Sequence, residues 1–168
     1  MKIRIAGVIK ESIVDGPGIR FVVFTQGCPF NCPGCHNTNT HDFLGGKLID
    51  IKTIIEDIKR QKMLRGLTIS GGEPLMQTEA CLEIVKGVKP FLTDIIVYTG
   101  FTWEEICNQL PTNPQLTELL HQIDYLIEGR YLETERDLSL KYRGSRNQRI
   151  IDVAKTLEIG KIFIKDFD

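Results

Sequence analysis

The sequence carries almost no net charge. Lys and Arg number 21 and Asp and Glu 22 in 168 residues, a formal charge of −1. A near-neutral chain lacks the electrostatic footprint of a general nucleic-acid or anionic-membrane binder. It also lacks any apolar run approaching the length of a membrane span. The first residues, Met1-Lys2-Ile3-Arg4-Ile5, lack the apolar core and cleavage site of a signal peptide, so a cytoplasmic location is expected. There is no internal repeat of fixed period and no low-complexity segment. Nor is the cysteine count even: there are five, three of them within eight residues. In a reducing compartment that points to metal or redox chemistry rather than a disulfide framework. What remains is ordinary for a globular chain, with 42% hydrophobic and 26% charged residues. The length suits one domain with a real core.

Short apolar runs alternate with amphipathic stretches. Phe21–Phe24, Leu67–Ile69, Ile95–Tyr98 and Tyr125–Ile127 read as strands buried on both faces, with Ile150–Ile151 and Ile162–Ile164 as weaker candidates. Between them, Ile51, Ile54, Ile55 and Ile58 share one helix face behind Asp50 as N-cap. Cys81, Ile84, Val85 and Val88 repeat that spacing behind Thr78, with Pro90 as the stop. Thr102-Trp103-Glu104-Glu105 reads as a capping box, placing Trp103, Ile106, Cys107 and Leu110 on one side. Asn113-Pro114 opens a fourth helix, with Leu116, Leu119, Leu120 and Ile123 inward.

The predicted order, β-α-β-α-β-α-α-β, belongs to α/β folds with a mostly parallel sheet. A complete eight-fold barrel takes roughly 250 residues, so we expect an incomplete (βα) barrel or an open curved sheet in a single domain. Ligands of such folds sit at the carboxyl ends of the strands. The segments there are Gly27 to His36, Ser70-Gly71-Gly72-Glu73-Pro74, Thr99-Gly100 and Gly129-Arg130, which periodicity alone places on one face.

Cys28, Cys32 and Cys35 have the spacing C-x3-C-x2-C on one loop, tightened by Gly27, Pro29, Pro33 and Gly34. Three readings compete. A zinc site would use His36 or His41 as fourth ligand, but structural zinc favours two separated pairs, and here the pairs overlap. Cys32-Pro33-Gly34-Cys35-His36 matches the C-x-x-C-H signature of covalent haem attachment, which leaves Cys28 without a role. A [4Fe-4S] cluster held by three thiolates accounts for all three and leaves one iron open to a small ligand. Cys81 and Cys107 fall on helix stripes and read as core, as small hydrophobes rather than ligands.

The Cys28, Cys32, Cys35 spacing resembles the signature of the radical S-adenosylmethionine enzymes. That resemblance implies that the open iron chelates the amino and carboxylate groups of S-adenosylmethionine. One electron from the cluster then cleaves it to methionine and a 5′-deoxyadenosyl radical. Ser70-Gly71-Gly72-Glu73-Pro74 resembles the family segment that holds the methionyl amino group. Two glycines let backbone carbonyls approach closely, and Glu73 adds an acceptor. The implied cofactor contacts are Gly34, Cys35, His36, Gly71, Gly72 and Glu73. Many members carry an aromatic residue before the third cysteine. Here that position is Gly34, and His36 is expected to take part of its work.

Asp15-Gly16-Pro17-Gly18, before the first buried strand, is a turn signal that also resembles the activases installing a glycyl radical on a partner enzyme. Within that group the short chain, Cys32-Pro33-Gly34-Cys35 and the stretch Glu128–Arg149 are similar to the activases of the anaerobic ribonucleoside-triphosphate reductase. Cys35-His36-Asn37 is closer to those of pyruvate formate-lyase. The resemblance covers about residues 6–152 of one domain spanning 1–168, with about 153–168 as a tail. It implies the reductase as protein substrate and a one-electron donor such as flavodoxin. A plain iron–sulfur electron carrier is the non-enzymatic alternative, and the Gly71-Gly72-Glu73 segment argues against it. Lys141, Arg143, Arg146 and Arg149 read either as a solvated basic loop or as a partner or cofactor contact, with Arg143 and Asn147 the candidates.

Overall fold

The computed structural model describes residues 1–167 as one α/β unit built on a single seven-stranded sheet. In chain order its elements are β1 (Lys2–Ser12), β2 (Arg20–Thr25), β3 (Lys47–Asp50), α1 (Ile51–Arg60), β4 (Gly66–Gly71), α2 (Thr78–Val88) and β5 (Asp94–Thr99). They continue with α3 (Trp103–Gln109), α4 (Pro114–Gln122), β6 (Tyr125–Glu128), β7 (Arg149–Asp152) and α5 (Val153–Ile159). The order expected from periodicity runs from β2 to β6, with β3 placed ahead of α1.

The strands lie in the order β3-β1-β2-β4-β5-β6-β7. β2, β4, β5 and β6 pair in parallel. β1 pairs antiparallel with both β2 and β3, and β7 antiparallel with β6. Among the described residues β3 and β7 are the two edges, so the sheet is open, as the second of the two expected architectures has it, and a barrel is not confirmed. The parallel character is confined to the centre. β1 and β2 are joined only by residues 13–19, too short for the crossover of a dozen or more residues that a parallel return needs.

The helices pack on one face of the sheet. Phe21, Val23, Leu67, Ile69, Ile95, Val97 and Leu126 meet Ile54, Ile58, Leu82, Val85, Ile106, Leu116 and Leu119 there, all buried. Each such side chain contributes roughly 1.5–3 kcal/mol relative to an exposed one. Ile96, Ile127 and Ile150 face the other way, under Tyr98, Tyr125, Tyr142 and Phe167.

Helix starts follow the sequence closely. Asp50 accepts from Lys52 N at 2.9 Å. Thr102 and Glu105 form the expected capping box. Asn113 accepts from Leu116 N at 3.0 Å, with Pro114 in the first turn. Thr78 differs: it is the first residue of α2, and its hydroxyl donates back to Leu75 O at 2.7 Å. Cys81 is core as expected, but Cys107 is exposed. The correction has a simple cause. α3 has barely two turns and buries only Trp103 and Ile106, so its apolar stripe is too narrow to include Cys107.

The C-terminal stretch is ordered. α5 ends at Gly160 with φ 72°, and residues 163–165 lie along β7 through Asp152 N to Phe163 O at 2.9 Å and Lys165 N to Ile150 O at 2.8 Å. The last residue of the expected tail lies outside the described residues.

The amino-terminal ends of the parallel strands are held by a buried ion pair. Arg20 is 0% exposed and donates to Asp94 Oδ1 at 2.6 Å, Thr68 Oγ1 at 2.7 Å, Leu67 O at 2.9 Å and Pro17 O at 3.0 Å. Arg65 Nε donates to the other Asp94 oxygen at 3.0 Å. Thr68 in turn donates to Asp15 O at 2.8 Å, which fastens the Asp-Gly-Pro-Gly turn.

Candidate cysteine-loop active site

The opposite ends of the strands form a cavity of about 150 Å³. Its lining brings together Cys28, Cys32 and Cys35 after β2, Ser70 to Glu73 after β4, Thr99 and Gly100 after β5, and Gly129 and Arg130 after β6. Every strand-end segment that periodicity placed on one face is present.

The cysteine loop is fastened at its base. Gly27 N donates to Thr40 O at 2.7 Å and Cys28 N to His41 O at 3.1 Å, while a turn closes from Cys35 N to Cys32 O at 3.1 Å. All three thiols are partly exposed. Burial raises the Cys28 thiol, opposed by the backbone N–H groups of Phe30 and Asn31 directed at its sulfur. Burial and then the neighbouring Cys35 raise Cys32.

Gly71 and Gly72 serve close approach. Gly71 has φ +107°, and a Cβ on it would run into the backbone of Thr25. A Cβ on Gly72 would strike Gly27 O. Without side chains, the two turns interlock through Gly72 N to Thr25 O and Glu73 N to Gly27 O, both at 2.8 Å. Glu73 is 1% exposed. Its Oε1 accepts from Leu75 N at 2.9 Å and Thr99 Oγ1 at 2.8 Å, and its Oε2 from Gly100 N at 2.7 Å. Burial nevertheless pushes this carboxyl up to about 7. A carboxylate offers about four acceptor positions, so roughly one remains for a ligand donor.

A second, open groove of about 800 Å³ adjoins the cavity along the helix-free face of the sheet. Cys35, Asn37, Ser70, Tyr98, Tyr131 and Gln148 line both. His36 lines only the groove, with its ring 5.5 Å from that of Tyr131. Gly34 is exposed at φ +77°, and the Glu133 carboxylate occupies the space where a side chain would project.

The donor set suits an iron–sulfur cluster. Among the described residues no three His, Cys, Asp or Glu side chains converge as they would on one metal ion. Ligands of a cluster each bind a different iron and need not converge. Three cysteines on one loop match the all-thiolate preference of such clusters.

Residues 14–151 match the family described as 4Fe-4S single cluster domain. The chain is 37% identical over 146 residues to the anaerobic ribonucleoside-triphosphate reductase-activating protein of Haemophilus influenzae, covering 82% of this chain and 90% of that one. The chain belongs to this family of activating proteins. The relative from Enterobacteria phage T4 is 36% identical over 145 residues, covering 82% of this chain and 86% of its own. That of Escherichia coli K12 is 32% identical over 145 residues, covering 81% and 90%. A solved structure, QueE from Escherichia coli, overlaps 60% of this chain and 53% of its own at 19% identity, with a TM-score of 0.48.

In this member of the family the late basic stretch is not a uniform solvated run. Arg149 donates to Glu128 Oε1 at 2.9 Å and to Glu128 Oε2 and Glu104 Oε2 at 2.8 Å. Arg143 lines the groove and donates to Gln148 O at 3.0 Å. Asn147 Nδ2 donates to Arg130 O at 2.7 Å. Sequence reasoning missed Phe30, Tyr98 and the Glu105–Arg130 pair. Glu105 was visible as half of a capping box and Arg130 as a strand-end residue, but nothing in the sequence joins them. No helix of the described residues is long and apolar enough to cross a membrane.

Proposed function

We propose that the chain activates the anaerobic ribonucleoside-triphosphate reductase by generating a glycyl radical on it. Cys28, Cys32 and Cys35 would hold a [4Fe-4S] cluster, and an open coordination position on it would take the methionyl group of S-adenosylmethionine. When bound and reduced, the cluster supplies one electron to the cofactor's sulfonium, giving methionine and, after hydrogen transfer from the glycine Cα, 5′-deoxyadenosine. The electron comes from an external one-electron donor such as flavodoxin.

The chain's own residues bind and orient. Glu73 offers its remaining acceptor position to the methionyl ammonium, while Gly71 and Gly72 let this turn press against the backbone of the cysteine loop. The groove that continues from Cys35 along the helix-free sheet face leaves room for a segment of a protein substrate. The observation that carries this reading is the shared cavity: the three cysteines and the Gly71-Gly72-Glu73 turn line one space. An electron carrier needs no such second wall.

The test is low-temperature electron paramagnetic resonance on the reconstituted chain with reductant, S-adenosylmethionine and the reductase, beside a sample carrying pyruvate formate-lyase. A glycyl-radical doublet with the reductase alone is the expected result. A doublet with the lyase alone would reassign the partner. Failure to release 5′-deoxyadenosine in any mixture would overturn the radical reading. Cys32→Ser is expected to lose the cluster and the doublet together.

A further inference from the structure

The loops at the cavity are joined in a closed ring. The Glu73 backbone joins the turn after β4 to the base of the cysteine loop, through Gly27 O at 2.8 Å. Its carboxylate reaches the turn after β5, through Gly100 N at 2.7 Å. That turn enters the capping box of α3, where Glu105 Oε2 accepts from Thr102 N at 2.8 Å. Glu105 holds Arg130, after β6, with both oxygens, at 3.0 and 3.1 Å. Arg130 returns to the cysteine loop, with its guanidinium carbon 4.3 Å from the ring centroid of Phe30. The same ring meets Phe101 edge-on at 4.8 Å.

We propose that Arg130 is a positioning residue for the cysteine loop, holding Phe30 by a cation–π contact whose guanidinium Glu105 fixes. This rests on the reading of the loop as the cluster holder. Phe30 lies in the chain between Cys28 and Cys32 and lines the same cavity as both. Shifting the ring therefore shifts the backbone that carries the two cysteines. A guanidinium can lie flat on a ring and still meet a carboxylate with two parallel N–H groups. A lysine ammonium cannot do both. Glu105 is already aligned by the N-terminus of α3, so the grip on Arg130 has a fixed base.

The experiment uses the full chain, loaded without oxygen with ferrous iron and sulfide, as wild type, Arg130→Lys, Phe30→Leu and the double variant. Two rates are read: iron release to a chelator, and backbone amide exchange of residues 28–35 in the metal-free protein. Each single variant is expected to speed both by roughly threefold to tenfold, the range a partly exposed cation–π contact supports. The double variant is expected to be no faster than the faster single one, because both cut the same link. Glu105→Gln, which removes one of the two contacts, moves in the same direction. Wild-type exchange in Arg130→Lys would show that charge alone suffices and overturn the proposal, as would multiplying effects in the double variant. If the wild type takes up no cluster, the cluster reading fails, while amide exchange still decides the role of Arg130. Circular dichroism checks that each variant folds. If Arg130→Lys does not, Phe30→Leu with Glu105→Gln completes the same cycle.

Discussion

Raising the pH is expected to shift the balance of stability between the wild type and Glu73→Gln in the variant's favour. Glu73 is 1% exposed. Burial lifts its carboxyl from 4.5 to about 7, against the opposing pull of the Gly100 and Leu75 N–H groups and the Thr99 hydroxyl. The folded chain thus keeps a proton that the unfolded chain has released. Its contribution to stability is complete below 4.5 and is lost as pH rises through about 7. The full loss is about 3 kcal/mol, of which about a quarter has gone by about pH 5. Between about pH 5 and about pH 8.5 the difference between the two proteins should therefore move by about 2.5 kcal/mol. The variant has a fixed cost, since its amide NH₂ meets the Gly100 N–H, but that cost cancels in the comparison across pH. The assay is urea unfolding of the metal-free chain, followed by its one tryptophan, Trp103, which is buried. At about 1–3 kcal/mol per molar urea, the relative midpoint moves by about 1 M or more. A difference constant to within about 0.5 kcal/mol, or one favouring the wild type at high pH, would refute the reasoning.

Removing one partner of a buried ion pair leaves the other uncompensated, so Arg20→Met should cost about 3–5 kcal/mol in urea unfolding. Arg20→Met with Asp94→Leu should recover part of that, and a double variant weaker than both singles would contradict it. Gly72→Ala drives a methyl at Gly27 O. It should cost about 1–3 kcal/mol and speed iron loss from the reconstituted chain. Thr102→Ala removes the hydroxyl half of the capping box, at about 1 kcal/mol. Thermal melting of the metal-free variant would check it.

The sequence was most legible where both faces of a strand are buried. β2, β4, β5 and β6 read as unbroken apolar runs because helices cover one face and aromatic side chains the other. β1 and β3 escaped notice because their partly exposed pattern is weak: β3 is an edge strand whose best-covered residue, Ile49, is only partly buried. Those unseen strands supply two of the sheet's antiparallel pairings, which is why the expectation of a mostly parallel sheet holds only at its centre. At the site, glycine and cysteine spacing showed which residues face the cavity, since those types are demanded by backbone approach and metal affinity. Pairings such as Phe30 with Arg130 join residues far apart in sequence, and only the fold brings them within reach. Arg149 read as one of four cations on a stretch that was either solvated or a contact surface, yet its partner Glu128 is 1% exposed.

The central strands end in two unlike poles. At one, Arg20, itself wholly buried, gathers Pro17, Leu67, Thr68 and Asp94 into a knot. At the other, separate loops meet around a hole. A knot tolerates little change in any strand, whereas a hoop can be re-cut one segment at a time. Divergence in what such a chain acts upon can therefore accumulate at the hoop while the knot keeps the strands in register.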